Sequence, residues 1–337
     1  MGATPARRLQ AGWLRRGATA RSLWPLSMLY RAIWSLRQAV FSIGLSHRET
    51  LAVPVIVVGN VVAGGAGKTP TVIALVEHLQ SRGLVVGVVS RGYGRTRPDG
   101  DDDGGLEVRA DSTPGAVGDE PLLIQRRTGA PVFVGRRRAS AARRLLAAHA
   151  DVRVLVCDDG LQHLALARDI EVCVFDDRGV GNGWLLPAGP LREPWPRPCD
   201  LVLHTGAQPA FDGHQGRRRL AEHAVDSTGR QVALADLRNT PVAAVAGIAR
   251  PEAFFGMLRD GGLTLAWTRS LPDHAHYTAE SLDVDAALPL LCTEKDAAKL
   301  WRLRPDALAV PLLFALPGGF TARLDRLLDA RLSSASR

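Results

Sequence analysis

At 337 residues, with 46% apolar and 23% charged side chains, the chain can bury a sizeable core in two domains, or in one large α/β domain with an appendage; wholesale disorder is excluded. Its formal charge of +8 is concentrated, because residues 1–50 hold eight arginines and one glutamate and leave +1 for the rest. A basic arm facing a membrane surface or an acidic partner is therefore expected, and a nucleic-acid partner is not. Four scattered cysteines with no CxxC spacing argue against a disulfide framework and read as reduced core residues.

The arm continues into Trp24 to Leu45, which has the pattern of an amphipathic helix. Ser27, Arg31, Ser35, Gln38 and Ser42 fall on one narrow stripe, while Leu26, Leu29, Tyr30, Ile33, Trp34, Val40 and Phe41 fill a wide apolar face. Arg31 and Arg37 leave no uncharged run near the roughly 18 to 20 residues of a spanning helix. The helix is expected to lie in the headgroup region, with Arg7, Arg8, Arg15, Arg16 and Arg21 on anionic lipid. A helix packed on the protein's own core is the alternative that the pattern leaves open. No compact apolar segment with a small-residue cleavage site follows the arginines, which argues against a cleaved signal peptide.

Val53 to Val58 is a β-branched run suited to a buried parallel strand, and it opens into Val62-Ala63-Gly64-Gly65-Ala66-Gly67-Lys68-Thr69. This order is that of a phosphate-binding loop. Its glycines let backbone amides approach phosphate oxygens, Lys68 reaches the β/γ-phosphates, and the Thr69 hydroxyl sits on Mg²⁺. Pro70 is tolerated in a first helical turn, and Val72, Leu75, Val76 and Leu79 then repeat at helical spacing. Val62 stands where the usual pattern has glycine. Lysine usage strengthens the reading: the chain has three lysines (Lys68, Lys295, Lys299) among 42 basic residues, so a lysine kept in this loop suggests a site that needs a compact ammonium.

Further along, Leu84 to Ser90 reads as a second parallel strand, residues 97 to 105 as an exposed loop, and Pro131 to Val134 as a third strand. Asp119, before the helical stretch 121–128, has the position of an N-cap. Val152 to Cys157 is an apolar strand that runs into Asp158-Asp159-Gly-Leu-Gln-His163, and a hydrophobic strand ending in Asp is the Mg²⁺-supporting partner of a phosphate-binding loop. After the strand 170–175, Gly181 to Pro194 is too rich in glycine and proline for a regular element and too apolar for a linker, so an ordered loop is expected. The Arg-rich stretch 205–230 reads as peripheral. A smaller α/β pattern restarts near residue 240, with a solvated loop at Asp273-His-Ala-His-Tyr277, a helix N-cap at Thr293-Glu-Lys-Asp296, a last strand over 310–316 and a terminal helix.

The expected fold is α/β: a P-loop NTPase-like, mostly parallel sheet with helices on both faces, a smaller C-terminal α/β domain and an N-terminal amphipathic helix. The divisions fall at 1–50, 51–239 and 240–337. On the residues alone, the loop and the acidic turn establish nucleotide phosphate, Mg²⁺ and a broad NTPase class. A membrane-associated ATPase switch without a lipid acceptor and a non-enzymatic membrane or RNA-binding protein are the rival classes.

The ordered set of motifs resembles one family, the tetraacyldisaccharide 4′-kinases of lipid A biosynthesis. It comprises Val58-Gly-Asn60 with Gly64-Gly-Ala-Gly-Lys-Thr-Pro70, Ser90-Arg-Gly-Tyr-Gly-Arg95, Gly118-Asp-Glu-Pro121, Asp158-Asp-Gly-Leu-Gln-His163, Gly181-Asn182, Leu186-Pro-Ala-Gly-Pro-Leu-Arg-Glu-Pro194, Asp273-His274 and Thr293-Glu-Lys-Asp296. Ala66 and Leu161 stand where the family often has Thr and Phe, and Ala275 interrupts a frequent His-His pair, which makes His274 the histidine to follow. The resemblance implies ATP-dependent phosphorylation, with Mg²⁺, of the 4′-hydroxyl of an acylated glucosamine disaccharide 1-phosphate at the cytoplasmic face of a bacterial inner membrane. It also implies Asp119 as the base, paired with His274, Arg192 facing the phosphates, and Asp158, Asp159 and Glu193 helping Thr69 to hold the metal.

Overall fold

A 25-residue helix, α1 (Ala18–Ser42), precedes the first strand in the computed structural model, which describes residues 12–96, 104–273, 275, 277–282, 285 and 287–335. Strands and helices then follow as β1 (Val55–Gly59), α2 (Lys68–Ser81), β2 (Val86–Ser90), β3 (Leu106–Val108), α3 (Pro114–Val117), α4 (Asp119–Thr128), β4 (Val132–Val134), α5 (Arg138–Ala148), β5 (Val154–Asp158), β6 (Ile170–Phe175), β7 (Leu201–His204) and β8 (His214–Gln215). These strands form one sheet in the order β3-β4-β2-β5-β1-β6-β7-β8, parallel except for the β3 edge. Of the loop expected at 97–105, residues 97–103 lie outside the described residues.

Side chains alternate across β1 and divide the core. Ile56 and Val58 pack with Val72, Leu75 and Leu79 of α2 and Leu122 of α4, whereas Val55 and Val57 pack with Leu161 and with Ala141 and Leu145 of α5. Helices therefore cover both faces, and the near-continuous apolar strands follow from that double burial. Register sets the site: Val58 of β1 pairs with Asp158 of β5, so the acidic turn and the glycine-rich loop leave neighbouring strands at one edge of the sheet.

The second sheet has the order β11-β10-β15-β14-β12-β13, with β10 (His223–Val225), β11 (Gln231–Ala233), β12 (Val242–Ala246), β13 (Leu265–Ser270), β14 (Leu290–Thr293) and β15 (Leu308–Val310). Phe254, Phe255 and Leu258 of α6 (Pro251–Asp260) cover one face, and Ala297 and Leu300 of α7 (Glu294–Leu300) cover the other. Two of its strands, β10 and β11, precede the expected boundary at residue 240.

The last strand is two, because Pro311 lacks the N–H that a continued ladder needs. β16 (Leu312–Ala315) leaves the second sheet and pairs antiparallel with β9 (Arg217–Leu220). The terminal helix α8 (Gly318–Ala335) then returns to the first sheet, where Phe320, Leu324 and Leu328 are buried.

Helix α1 meets the protein along one narrow line and leaves most of its apolar face outward. Ser27, on the expected polar stripe, is buried against the protein, and Tyr30, Trp34 and Gln38 are half-buried, while Leu26, Met28, Leu29, Ile33 and Leu36 face outward and are exposed. The cause is the Gly/Pro-rich loop beneath the helix, whose backbone groups need partners. The Ser27 hydroxyl donates to Leu185 O (2.8 Å) and accepts from Ala188 N (3.0 Å), and the Tyr30 hydroxyl donates to Arg192 O (2.7 Å). Arg16 donates to Asn182 O (3.0 Å) and stacks over Trp184, so it serves that loop. Arg7 and Arg8 lie outside the described residues. No helix among the described residues is long and apolar enough to cross a membrane.

Candidate active site

The glycine-rich loop has the positive-φ backbone that its sequence requires, with Gly64 at +95° and Gly67 at +84°. Gly67 stands immediately before α2, so Lys68, Thr69 and Pro70 form its first turn and their end of the helix offers outward N–H groups. Asn60 stiffens the loop from below, donating to Val62 O (2.6 Å) and Gly64 O (3.1 Å). Its carbonyl oxygen accepts from Lys68 Nζ (3.0 Å), which also lies 3.5 Å from Asp159 Oδ1.

One side of the loop is zipped to the Gly/Pro-rich segment. Ala63 N donates to Pro190 O, Arg192 N donates to Val61 O, both at 2.7 Å, and Val62 bridges Leu191. This explains a segment that had no regular element of its own: it is a strap that carries Arg192 and Glu193 to the loop. Arg192 Nη1 donates to Asp159 Oδ1 (3.1 Å), and Gln162 Nε2 donates to the buried Glu193 Oε1 (2.7 Å).

The two aspartates after β5 differ. Asp158 is buried, accepts at Oδ2 from the Ser90 hydroxyl (2.9 Å) and has no partner at Oδ1 among the described residues. Burial, then the neighbouring Glu120 and Asp159, push its carboxyl up to about 7 against the pull of Lys68. Burial also acts on Asp159, but the Lys68 and Arg192 cations outweigh it and hold this carboxyl below the usual range. A buried carboxylate oxygen without a partner among the described residues, on the strand paired with the one that leads into the phosphate-binding loop, fits a divalent cation of the Mg²⁺ kind, which takes few protein ligands and completes its shell with water and phosphate. Lys68 and the loop amides fit the nucleotide phosphates.

The stretch 205–230 is not peripheral. The Thr205 hydroxyl donates to Ala66 O (2.8 Å), and Arg218 of β9 reaches over Gly67, donating through Nη2 to Thr205 Oγ1 (2.6 Å). Arg178, fixed by Asp176, donates to Ala63 O and Gly65 O. Only the pairing of β9 with residues 312–315 brings Arg218 here, which no local pattern announces.

Asp119 is the first residue of α4 rather than its N-cap; Gly118 holds that place at φ +95°, ψ 152°, a conformation closed to other residues. Asp119 is buried, and Lys299 Nζ donates to its Oδ2 (2.5 Å). Asp119 lines a cavity of about 460 Å³ with Tyr93, Tyr277, Lys299 and Arg302, while the next residue, Glu120, lines another of about 210 Å³ with Lys68, Thr69 and Arg218. The start of α4 thus separates two cavities. His274, expected beside Asp119, lies outside the described residues.

Residues 19–332 match the profile of a family described as tetraacyldisaccharide-1-P 4′-kinase. A tetraacyldisaccharide 4′-kinase of Acidovorax sp. (strain JS42) is 56% identical over 333 residues, 98% of this chain and 96% of the relative. Another, of Polaromonas naphthalenivorans (strain CJ2), is 57% identical over 334 residues, 96% of each. The fold is similar to that of LpxK from Aquifex aeolicus, crystallised in complex with ATP, at a TM-score of 0.78 and 27% identity over 92% of this chain and 99% of that one.

Proposed function

This chain belongs to the tetraacyldisaccharide-1-P 4′-kinase family, and from that premise we propose how its residues divide the work of the reaction. It is a kinase that transfers the γ-phosphoryl group of ATP to the 4′-hydroxyl of tetraacyldisaccharide 1-phosphate in lipid A synthesis. Such a transfer asks for positioning and charge neutralisation more than covalent chemistry. In our assignment Lys68, with the backbone of residues 62–69, cradles the phosphates, and Arg192 faces them. Thr69 and Asp158, supported by Asp159 and Glu193, hold Mg²⁺; the unpartnered Oδ1 favours Asp158 as the nearer carboxylate. When bound, Mg²⁺ neutralises charge on the transferring group.

A sugar hydroxyl has a pKa far above 7, so its proton leaves only as the new bond forms. We assign that proton to Asp119, with His274 as its partner. The observation that carries the assignment is the position of the first turn of α4 between two cavities, Glu120 on the nucleotide side and Asp119 on the other. The second cavity would then take the acceptor sugar.

We further propose that the outward face of α1 lies in the membrane surface at the cytoplasmic side of the inner membrane, where a four-chain lipid resides, with Arg15 and Arg21 on anionic headgroups. Residues 1–50 would form this arm, 51–239 the nucleotide-binding body and 240–337 the smaller body. Chromatography of the lipid after incubation with γ-labelled ATP tests the whole reading. Label in a phosphorylated lipid is expected, and ATP hydrolysis without labelled lipid would overturn it.

A further inference from the structure

The three lysines of the chain line the two cavities that the start of α4 separates, Lys68 and Lys295 the one at the loop and Lys299 the other. Lys68 is in the loop, and Lys295 and Lys299 stand four residues apart on one face of α7. Each of the latter joins the same two segments. Lys295 Nζ donates to Glu120 Oε1 (3.1 Å) and Asp273 Oδ1 (2.9 Å), and Lys299 Nζ donates to Asp119 Oδ2 (2.5 Å) and Ala275 O (3.5 Å). One end of each rung is a carboxylate in the first turn of α4, and the other is a residue adjoining His274 in the chain.

The helix that presents them is itself lashed in place. The Thr293 side chain caps α7 by accepting from Asp296 N, the buried Asp296 carboxylate accepts from Gly247 N (2.9 Å), and Glu294 accepts from Arg127 at the far end of α4 (2.8 Å). Every side chain of Thr293-Glu-Lys-Asp296 is thereby used. Bridges that only added stability between the two bodies would be served by arginine, as at the other 39 basic positions. A single compact ammonium between two acceptors on different segments is what lysine alone supplies.

We propose that Lys295 and Lys299 are positioning residues, a two-rung clamp from α7 that fixes the Asp119 carboxylate relative to Asp273 and Ala275 for proton removal from the acceptor hydroxyl. The inference rests on the assignment of Asp119 as the base. Displacing a reacting group by about 1 Å costs on the order of 100-fold in rate, so Lys299→Met is expected to lower kcat by about 10- to 100-fold while KM for ATP stays within about threefold. Lys295→Met, which touches Glu120 and not the base, lowers kcat less.

The test measures kcat and KM with tetraacyldisaccharide 1-phosphate and ATP-Mg²⁺ on the full chain, for Lys299→Met, Asp119→Asn and the double variant. If Lys299 acts through Asp119, adding Lys299→Met to Asp119→Asn costs less than about twofold. Lys299→Arg keeps the charge and secures a folded comparison; wild-type thermal stability with kcat at least about fivefold down is expected. Near-normal kcat for Lys299→Met or Lys299→Arg, with Asp119→Asn inactive, overturns the clamp and leaves the base. So does an additive double variant, or a loss expressed equally in KM for ATP. An active Asp119→Asn overturns the base and the clamp together.

Discussion

Replacing Asp119 by Asn keeps the shape of the side chain and the first turn of α4 but removes its capacity to take a proton. Positioned general-base help is worth about 10² to 10⁴ in rate. At 1.36 kcal/mol per decade that is roughly 3 to 5 kcal/mol of barrier. The substitution also takes the negative charge from Lys299, and hydrogen bonds to charged groups contribute about 1.5–3 kcal/mol; the low end applies, because the Lys299 side chain retains 18% of its exposure and a carbonyl contact. A modest downward thermal shift is therefore expected. ATP binding should stay within about twofold, since the residue lines the second cavity and not the one at the loop. The assay pairs turnover of labelled lipid with equilibrium binding of a fluorescent ATP analogue. Turnover within about threefold of wild type would remove Asp119 from the role, and loss of nucleotide binding in step with kcat would make it a structural residue instead.

Gly118→Ala should act one residue upstream by strain: a Cβ there would lie 3.0 Å from Tyr93 O at φ +95°, and about 1–3 kcal/mol of stability should be lost with a fall in kcat. A stable, fully active Gly118→Ala protein would refute that. Ser27→Ala removes one of the two hydrogen bonds to Leu185 O, which still accepts from Gly189 N, and takes the partner of the buried Ala188 N, so stability should fall by about 1–3 kcal/mol in urea unfolding; no change would mean that the strap finds other partners. Combining Leu29→Glu, Ile33→Glu and Leu36→Glu on the exposed face of α1 should reduce sedimentation with anionic vesicles by more than about tenfold, given about 1.5–3 kcal/mol for each buried aliphatic side chain. Turnover on detergent-dispersed lipid should persist, and wild-type sedimentation would defeat the orientation of the helix. His163 supplies a pH test. Burial, then Arg138 and Arg168, bring it down to about 4 from 6.5, so the unfolded chain binds more protons between those values and stability present above the window is lost as pH falls through it. His163→Gln should flatten the dependence of the urea midpoint in that window only, and an unchanged slope would exclude His163 as its source.

The parts of the site that were legible in the sequence are the contiguous ones. Val53 to Thr69 and Val152 to Asp159 each carry strand, turn and reactive group in one run, because the sheet edge that binds phosphate is built from the ends of single strands. What was not legible depends on partners far along the chain. The polar stripe of α1 gave the amphipathic period but not which side meets the protein, since the group that selects it is a loop about Leu185. Arg218 was hidden in a polar stretch because β9 finds its neighbour only at residues 312–315. The Thr293 cap was readable from local spacing, whereas the contacts of Lys295 and Lys299 with α4 were not. Lysine rarity was the available signal, and applied beyond Lys68 it would have marked both.

The strap at 181–194 gives this arrangement its logic. Its one edge bonds to α1 through Leu185, Ala188 and Arg192, and its other edge bonds to the phosphate-binding loop through Pro190 and Arg192. Arg192 is held by its backbone on both edges while its side chain reaches Asp159. An element whose outward face is apolar is therefore joined to the nucleotide loop by one short segment, without a flexible linker between them. A substrate whose acyl chains stay in the bilayer can move its sugar only so far from the surface. With α1 seated at that surface, as proposed, a fixed distance between the helix and the γ-phosphate would raise effective molarity. As proposed, the lysine rungs of α7 would do the corresponding work on the acceptor side, and the two reacting groups would be positioned from opposite bodies of the molecule.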